Sequence, residues 1–273
     1  MRLKISLKPI ENSHLFPANY NYPISALIYS LLKSASPEHS EFLHDEGYTI
    51  SGKAYKLFTF ALEFSRTPIF KNNAILCGDN TIFLHISSPN STNLISQLCT
   101  LNLTGRRIEI VGDNIFSKLK IIKVETYQLN EMGQRVMVKL RSPIVIAKGK
   151  YLENENRTQE EYLTYESNID DINKILNENL FNKYALIFNR NYADTPLKFK
   201  WDHDYVKQRM NQSKAFTRLI RITKDLHRPI EIRGNMIPFY IEGNEELIKV
   251  GLEAGFGSKN SMGFGFGDII NIQ

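Results

Sequence analysis

A chain of 273 residues, 42% hydrophobic and 23% charged, has room for two domains of ordinary size and enough apolar mass to give each a core, which argues against a disordered polymer. Its 34 Lys and Arg against 29 Asp and Glu leave a formal charge of +5, which admits a polyanionic partner without demanding one. Two distant cysteines, Cys77 and Cys99, argue against a disulfide framework or a Cys-rich zinc site. The alternating, charged start MRLKISLKPIENS is neither a signal peptide nor a membrane anchor, so a cytoplasmic protein is expected.

In chain order, residues 2–8 alternate strictly, with Leu3, Ile5 and Leu7 on one face and Lys4, Ser6 and Lys8 on the other, the pattern of a half-buried strand. Residues 23–34 read as a helix with an apolar stripe at Ile24, Leu27, Ile28, Leu31 and Leu32, and Pro23 suits its first turn. A short second helix is predicted from Ser36 as cap, Pro37 just inside and Gly47 just past the end. The run YKLFTFALEF, 55–64, reads as a strand, and the Gly78-Asp79-Asn80 turn predicts a hairpin between AILC and TIFLHIS. Helical spacing at Leu94, Ile95 and Leu98 precedes strands at 106–111 and 119–127.

The order strand, helix, strand, strand, helix, strand is the ferredoxin-like pattern. The second half repeats it: a strand at 136–140, a helix over 168–182, strands at 215–223 and 229–241, a helix over 244–254 capped by Asn244, and a final strand FGDIINI. The expectation is an α+β protein of two tandem ferredoxin-like (RRM-like) domains, 1–130 and 131–273, with 148–166 assigned to no element.

The tract GFGSKNSMGFGFG, 255–267, is the strongest local signal. Gly255, Gly257, Gly263, Gly265 and Gly267 permit close backbone approach, which suits a loop laid against phosphates, while Lys259, Asn260 and Ser261 add a cation and donors. A dinucleotide or P-loop reading fails, because those motifs run strand, glycines, helix, whereas here a helix precedes the glycines and a strand follows. Zinc-hydrolase and deaminase signatures are absent, as is a Gly-x-Ser-x-Gly elbow.

Three further side chains stand out. Tyr29 lies off the apolar stripe of its helix, aligned with Ser25 and Lys33; a ring packed at a helix edge is the plain alternative. His44 falls in the last turn of the second helix, where the dipole favours a cation, although His14, His39, His85, His203 and His227 compete on local grounds. Lys56 has the parity of Phe58, Phe60 and Leu62, so it either snorkels from an apolar face or meets an anion.

The tract VGLEAGFGSKNSMGFG, 250–265, resembles the C-terminal glycine-rich signature of the CRISPR-associated endoribonucleases of the sixth Cas family, in the RAMP superfamily. ALIYSLLK (26–33), FLHD (42–45) and YKLFTF (55–60) are similar to that family's first helix, histidine segment and following strand, so the resemblance covers residues 1–65 and 215–273. It implies two ferredoxin-like domains and cleavage of CRISPR repeat transcripts (pre-crRNA) with neither metal nor cofactor, by attack of a ribose 2′-hydroxyl that leaves a cyclic phosphate and a 5′-hydroxyl. The family's Tyr-His-Lys catalytic set matches Tyr29, His44 and Lys56. RNA contacts are expected from Gly255, Gly257, Lys259, Asn260, Ser261, Gly263 and Gly265, and from basic residues near or on strands, Lys214, Arg218, Arg221, Arg228 and Arg233. Repeat RNA is the expected partner, with other subunits of a CRISPR effector complex and a homodimer left open and no membrane involved. The alternative is a repeat-RNA-binding RAMP subunit that does not cut.

Overall fold

The alternation at Leu3, Ile5 and Leu7 produces strand β1 (Arg2–Pro9), with all three side chains buried. A short β2 (Leu15–Pro17) leads to helix α1 (Asn21–Ala35), which buries Ile24, Ile28, Leu31 and Leu32. Helix α2 (Pro37–Asp45) ends just before Gly47, whose φ of +67° lets the chain leave sharply. A hairpin of β3 (Tyr48–Ile50) and β4 (Lys53–Tyr55) precedes β5 (Thr59–Phe64). Then come β6 (Ile69–Lys71), β7 (Ala74–Leu76), β8 (Ile82–Ser87), α3 (Leu94–Thr100), β9 (Arg107–Gly112) and β10 (Ile115–Tyr127). In this computed structural model, which describes residues 1–11, 14–129, 132–152, 157–222 and 229–270, the main sheet of the first half has the order β5-β8-β1-β10-β9 and is antiparallel throughout. Leu3, Ile5, Leu84 and Ile86 pack with Ile24, Ile28, Leu94 and Leu98 in one core, which puts α1 and α3 on one face.

Two segments depart from the sequence-based expectation. The 78–80 turn forms, with Asn80 N–H donating to the Cys77 carbonyl at 2.9 Å, but it joins different sheets: β7 pairs with β2 and β6, and β8 with β1 and β5. The strand over 55–64 is broken at Leu57, whose φ is +51°. Tyr55 therefore ends β4 by pairing with Tyr48, and Lys56 sits in the link between two strands instead of on an apolar face. A positive φ at a leucine is costly, so alternation alone gives no hint of it.

In the second half, β11 (Arg135–Leu140) is followed by a hairpin of β12 (Ala147–Leu152) and β13 (Arg157–Tyr162), which occupies most of the unassigned stretch. Helix α4 (Ile169–Phe188) starts where the Asn168 side chain accepts from the N–H groups of Asp170 and Asp171, and it runs past the expected end at 182. Next come β14 (Lys198–Trp201), α5 (His203–Asn211), β15 (Thr217–Ile222), β16 (Ile230–Asn235), β17 (Phe239–Glu242), α6 (Glu245–Ala254) and β18 (Gly267–Ile270). The sheet order is β14-β17-β11-β18.

Both halves thus follow the ferredoxin-like order, but the second sheet recruits other residues than expected. Its second strand is β14, whose Phe199 and Trp201 are buried between exposed Lys198 and Lys200, a run of four too short to stand out in the sequence. The expected strands at 215–223 and 229–241 contribute only β17 to the sheet; β15 and β16 pair with each other outside it. His227, Arg228 and the final strand beyond Ile270 lie outside the described residues. Among the described residues no helix is long and apolar enough to cross a membrane.

The outer face of the first sheet carries a row of polar side chains in register, Arg2, Ser87 and Thr59, on three neighbouring strands. All three bond to backbone of the second half: Ser87 Oγ donates to the Leu252 carbonyl at 3.0 Å, and Thr59 Oγ1 to that of Phe264 at 2.8 Å. Arg2, 1% exposed, pairs with Asp268, donates to the carbonyls of Leu252 (3.0 Å) and Gly267 (2.5 Å), and lies 4.4 Å from the centre of the Phe266 ring. Arg141 carries the network on, from Asp268 to Glu63. A charge buried this deeply depends on such partners, which Nη1 and Nη2 have and the buried Nε lacks. Replacing Arg2 by Ala is therefore expected to lower stability by roughly 3–5 kcal/mol, read as a reduced denaturant midpoint, because Asp268 and the carbonyls of Leu252 and Gly267 each lose a donor at once. A loss under about 1 kcal/mol would show that the row is not what joins the halves.

Candidate active site

One face of α1 carries Asn21, Ser25 and Tyr29 at four-residue spacing, so their side chains stand above one another. The glycine-rich segment docks along this stripe. Asn21 Nδ2 donates to the Met262 carbonyl at 2.7 Å, Ser25 Oγ donates to the Ser261 carbonyl at 2.9 Å, and the Ser261 side chain reaches Tyr29. Tyr29 is half-buried, edge-on to Phe58 (5.8 Å between ring centres) and to His44 (5.9 Å). Burial pushes its hydroxyl up to about 12, against the pull of the hydrogen bond with Ser261, so it keeps its proton at neutral pH and is a donor.

His44 closes the last turn of α2 with its side chain 68% exposed, and its Nδ1 faces Asp45 Oδ1 at 2.6 Å, leaving Nε2 for another partner. Lys56 comes back over Gly47 to donate from Nζ to the His44 carbonyl at 3.1 Å, capping the end of α2. A Cβ at Gly47 would lie 2.9 Å from Lys56 Cδ and 2.8 Å from the Tyr55 carbonyl oxygen, so only glycine leaves the lysine this path. Burial lowers the Lys56 ammonium below its usual range, with Asp45 acting in the opposite sense. The Ser40 hydroxyl fixes α2 to α1 through the Tyr29 carbonyl at 3.1 Å. Tyr29, His44 and Lys56, distant in sequence, thus meet, and Ser261 joins them from the second half. Among the described residues no group of three or more His, Cys, Asp and Glu side chains is placed to hold a metal ion.

The glycines do something other than present backbone to an anion. Gly255, Gly257, Gly263 and Gly265 all have positive φ and are buried. A Cβ would sit 2.3 Å from the Val145 carbonyl oxygen at Gly257 and 2.6 Å from the Phe60 ring at Gly263, while Gly267 is buried against Val138. Asn260 is likewise spent within the protein: its Nδ2 donates to the carbonyls of Phe256 and Phe264, and its Oδ1 accepts from Lys183. Of the expected loop contacts, Lys259 and Ser261 remain half-exposed, Lys259 in an ion pair with Glu160 at 2.9 Å.

Arg218, Arg221 and Arg233 are exposed on the β15–β16 hairpin, away from this cluster. Arg221 pairs with Glu231 at 2.9 Å and Arg233 donates to Thr217 Oγ1 at 3.4 Å. Arg218 is on the other face, close enough to Tyr20 to act on its hydroxyl, at the far end of α1 and roughly 14 Å along the helix from Tyr29. Lys214 is exposed just before the hairpin.

The sequence reading missed Lys183. It projects from α4, is 1% exposed, and donates from Nζ to the carbonyls of Gly255 (2.7 Å) and Gly257 (3.0 Å) and to Asn260 Oδ1 (2.7 Å). A signal existed, because Lys183 falls beside Leu176 and Leu180 on the apolar stripe of α4, where a lysine must have acceptors. Beside it a cleft of about 670 Å³ opens between the β3–β4 hairpin, α4 and the loop, with Lys56 and Ser261 in its wall.

The family model for CRISPR associated protein Cas6, C-terminal, matches residues 117–269, and that for CRISPR-associated protein Cas6, N-terminal, matches residues 15–125. The CRISPR-associated endoribonuclease Cas6 1 of Methanocaldococcus jannaschii is 28% identical over 280 residues, covering 100% of this chain and 93% of its own. The CRISPR-associated endoribonuclease Cas6 of Pyrococcus furiosus is 26% identical, over 97% of this chain and 88% of its own. Two solved structures share the fold: a Cas6-related protein of Pyrococcus furiosus (TM-score 0.76, 22% identity, 100% of this chain and 99% of that one) and a RAMP protein binding different RNA substrates (TM-score 0.75, 19% identity, 99% and 100%).

Lys183 yields a test of how the loop is held. Burial pushes its amine down to about 7, so between there and the ordinary lysine range the unfolded chain holds a proton that the folded chain has shed. Stability then rises with pH across that window and is lost as pH falls through the folded value. Lys183→Met should cost roughly 1–3 kcal/mol for the stranded acceptors and should remove this slope. Denaturant midpoints of both proteins near pH 7 and about pH 9 check it; parallel shifts would refute the buried lysine as a titrating group.

Proposed function

This chain belongs to the Cas6 family of CRISPR-associated proteins, and we propose that it is a metal-independent endoribonuclease that cuts CRISPR repeat transcripts. The observation that carries this reading is the meeting of Tyr29, His44 and Lys56 at one place, with Ser261 beside them. The substrate supplies its own nucleophile, the 2′-hydroxyl next to the scissile phosphate. Attack of its oxygen on phosphorus, in line with the departing 5′-oxygen, leaves a cyclic phosphate and a 5′-hydroxyl and consumes no water: the proton lost by the 2′-hydroxyl passes to solvent, and the leaving oxygen takes one from the protein. The protein's share is to align the groups, move protons and offset the added negative charge.

In this reading His44 protonates the leaving 5′-oxygen from the ring nitrogen not engaged by Asp45. Tyr29, held neutral by burial, donates to a ribose or phosphate oxygen, and the Lys56 ammonium faces the phosphate oxygens as charge builds. Repeat RNA reaches the site along Lys259 and Ser261, with Lys214 and one face of the β15–β16 hairpin, that of Arg221 and Arg233 or that of Arg218, holding more distant phosphates. Since that binding is largely electrostatic, affinity should fall steeply as salt rises.

The test is incubation with the host's repeat RNA in excess EDTA. Wild type should cut once at a fixed position and leave a cyclic phosphate, and His44→Ala should cut about 10² to 10⁴ times more slowly. Wild-type cleavage by the variant would remove His44 from the mechanism. Tight binding by the wild type with no cut in any buffer would make the chain a non-cutting repeat-RNA-binding subunit instead.

A further inference from the structure

The cleft beside the Tyr29–His44–Lys56 cluster has features that the cleavage chemistry does not use. Its volume, about 670 Å³, is within the ordinary range for small-molecule sites and ample for one nucleotide. Lys56 and Ser261 belong to both cleft and cluster, so whatever fills the cleft abuts the phosphate being cut. Its lining includes Lys53 and Lys148, the latter also paired with Asp171 at 3.4 Å, together with Glu178 and with Glu160, which is already engaged by Lys259 and Tyr162.

The wall contributed by α4 presents two asparagines, Asn179 and Asn182, three residues apart and so on one helical face. Asn179 Oδ1 is buried without any hydrogen-bond partner. Asn182 gives its Nδ2 to the Tyr55 hydroxyl at 3.0 Å, and its Oδ1 accepts from no described residue. A buried amide oxygen left unpaired costs free energy that a bound donor would recover, here once the Asn179 amide turns towards the cleft that its residue lines. Two unmet acceptors, a half-buried Tyr55 ring in the same lining and the exposed Lys53 are together what a single unstacked base needs.

We infer that this cleft seats the base of one nucleotide flanking the scissile phosphate, and that Asn179 and Asn182 select it by its N–H donors. Guanine, whose N1–H and N2–H₂ lie side by side, is the base that fits two acceptors best. Lys53 and Lys148 meet the neighbouring phosphates. The inference rests on the reading of this chain as a repeat-RNA nuclease, and its test is built to fail separately.

Repeat RNAs are made with each base in turn at the two positions flanking the cut, in cleavable form and with a 2′-deoxy sugar that blocks the cut. Wild-type protein should discriminate by about tenfold or more at one flanking position, in affinity for the blocked RNA as well as in cleavage rate, and inosine in place of guanine should weaken it there. Asn182→Ala and Asn179→Ala should each shrink that ratio several-fold, at that position alone. If Asn179→Ala melts early, Asn182→Ala, which borders the cleft without a buried orphan atom, carries the test. The absence of any base preference at either position in the wild type would overturn the inference, as would a ratio unchanged in Asn182→Ala despite general weakening. Base-selective binding of blocked RNA by a protein that cuts nothing would instead sink the nuclease reading and leave the cleft assignment standing.

Discussion

At Gly265 a Cβ would lie 2.0 Å from the Phe256 carbonyl oxygen, and at Gly257 2.3 Å from that of Val145. Contact this close is open only to glycine, and the rest of the molecule is arranged around it. It folds the Gly255–Gly267 segment back on itself, with Phe256, Phe264 and Phe266 fully buried, and brings that segment flat against α1 and the outer face of the first sheet. Lys183 then satisfies the carbonyls that such a turn leaves pointing inward. The result is a wedge shared by both halves, apolar at its core and hydrogen-bonded to α1, α4 and the first sheet at its edges.

The wedge explains a division of labour. Tyr29, His44 and Lys56 all come from the first half, on α1, at the end of α2 and in the link after β4. The environment that sets Tyr29, however, is half foreign: Ser261 borders its hydroxyl, while Phe58 and His44 frame its ring. The bond from Lys56 to the His44 carbonyl has a similar logic, because one cation both finishes a helix and ties the following link to the residue that carries the imidazole.

Much of the first half was legible because its signals are local and strong. Leu3, Ile5 and Leu7 alternate, the α1 stripe repeats at helical spacing, and Pro37 and Gly47 bracket α2. The signature at 250–265 led to the right family, yet the burial of its glycines could not be read from composition, since positive φ serves a phosphate and a neighbouring carbonyl equally well. Lys56 was placed on the wrong kind of backbone because Leu57 adopts a left-handed conformation that no propensity favours. In the second half, β14 was hidden by its length, and the β15–β16 hairpin was mistaken for sheet strands because hairpin and sheet share one periodicity. Lys183 was overlooked for the opposite reason: a lysine amid leucines was visible, but its acceptors are backbone atoms 72 and 74 residues away.

The bond from Asn21 to Met262 spans 241 residues. At ordinary rates of synthesis, that separation is on the order of ten to fifty seconds on the ribosome. During that interval the first half has emerged while Arg2 still lacks its acceptors at Leu252 and Gly267 and its partner Asp268, and the polar stripe of α1 lacks the segment that docks on it. An unfinished chain therefore has Tyr29, His44 and Lys56 but not the surface that frames them. The order of translation itself keeps a nascent copy from bringing Ser261 to this cluster before the last glycines have emerged.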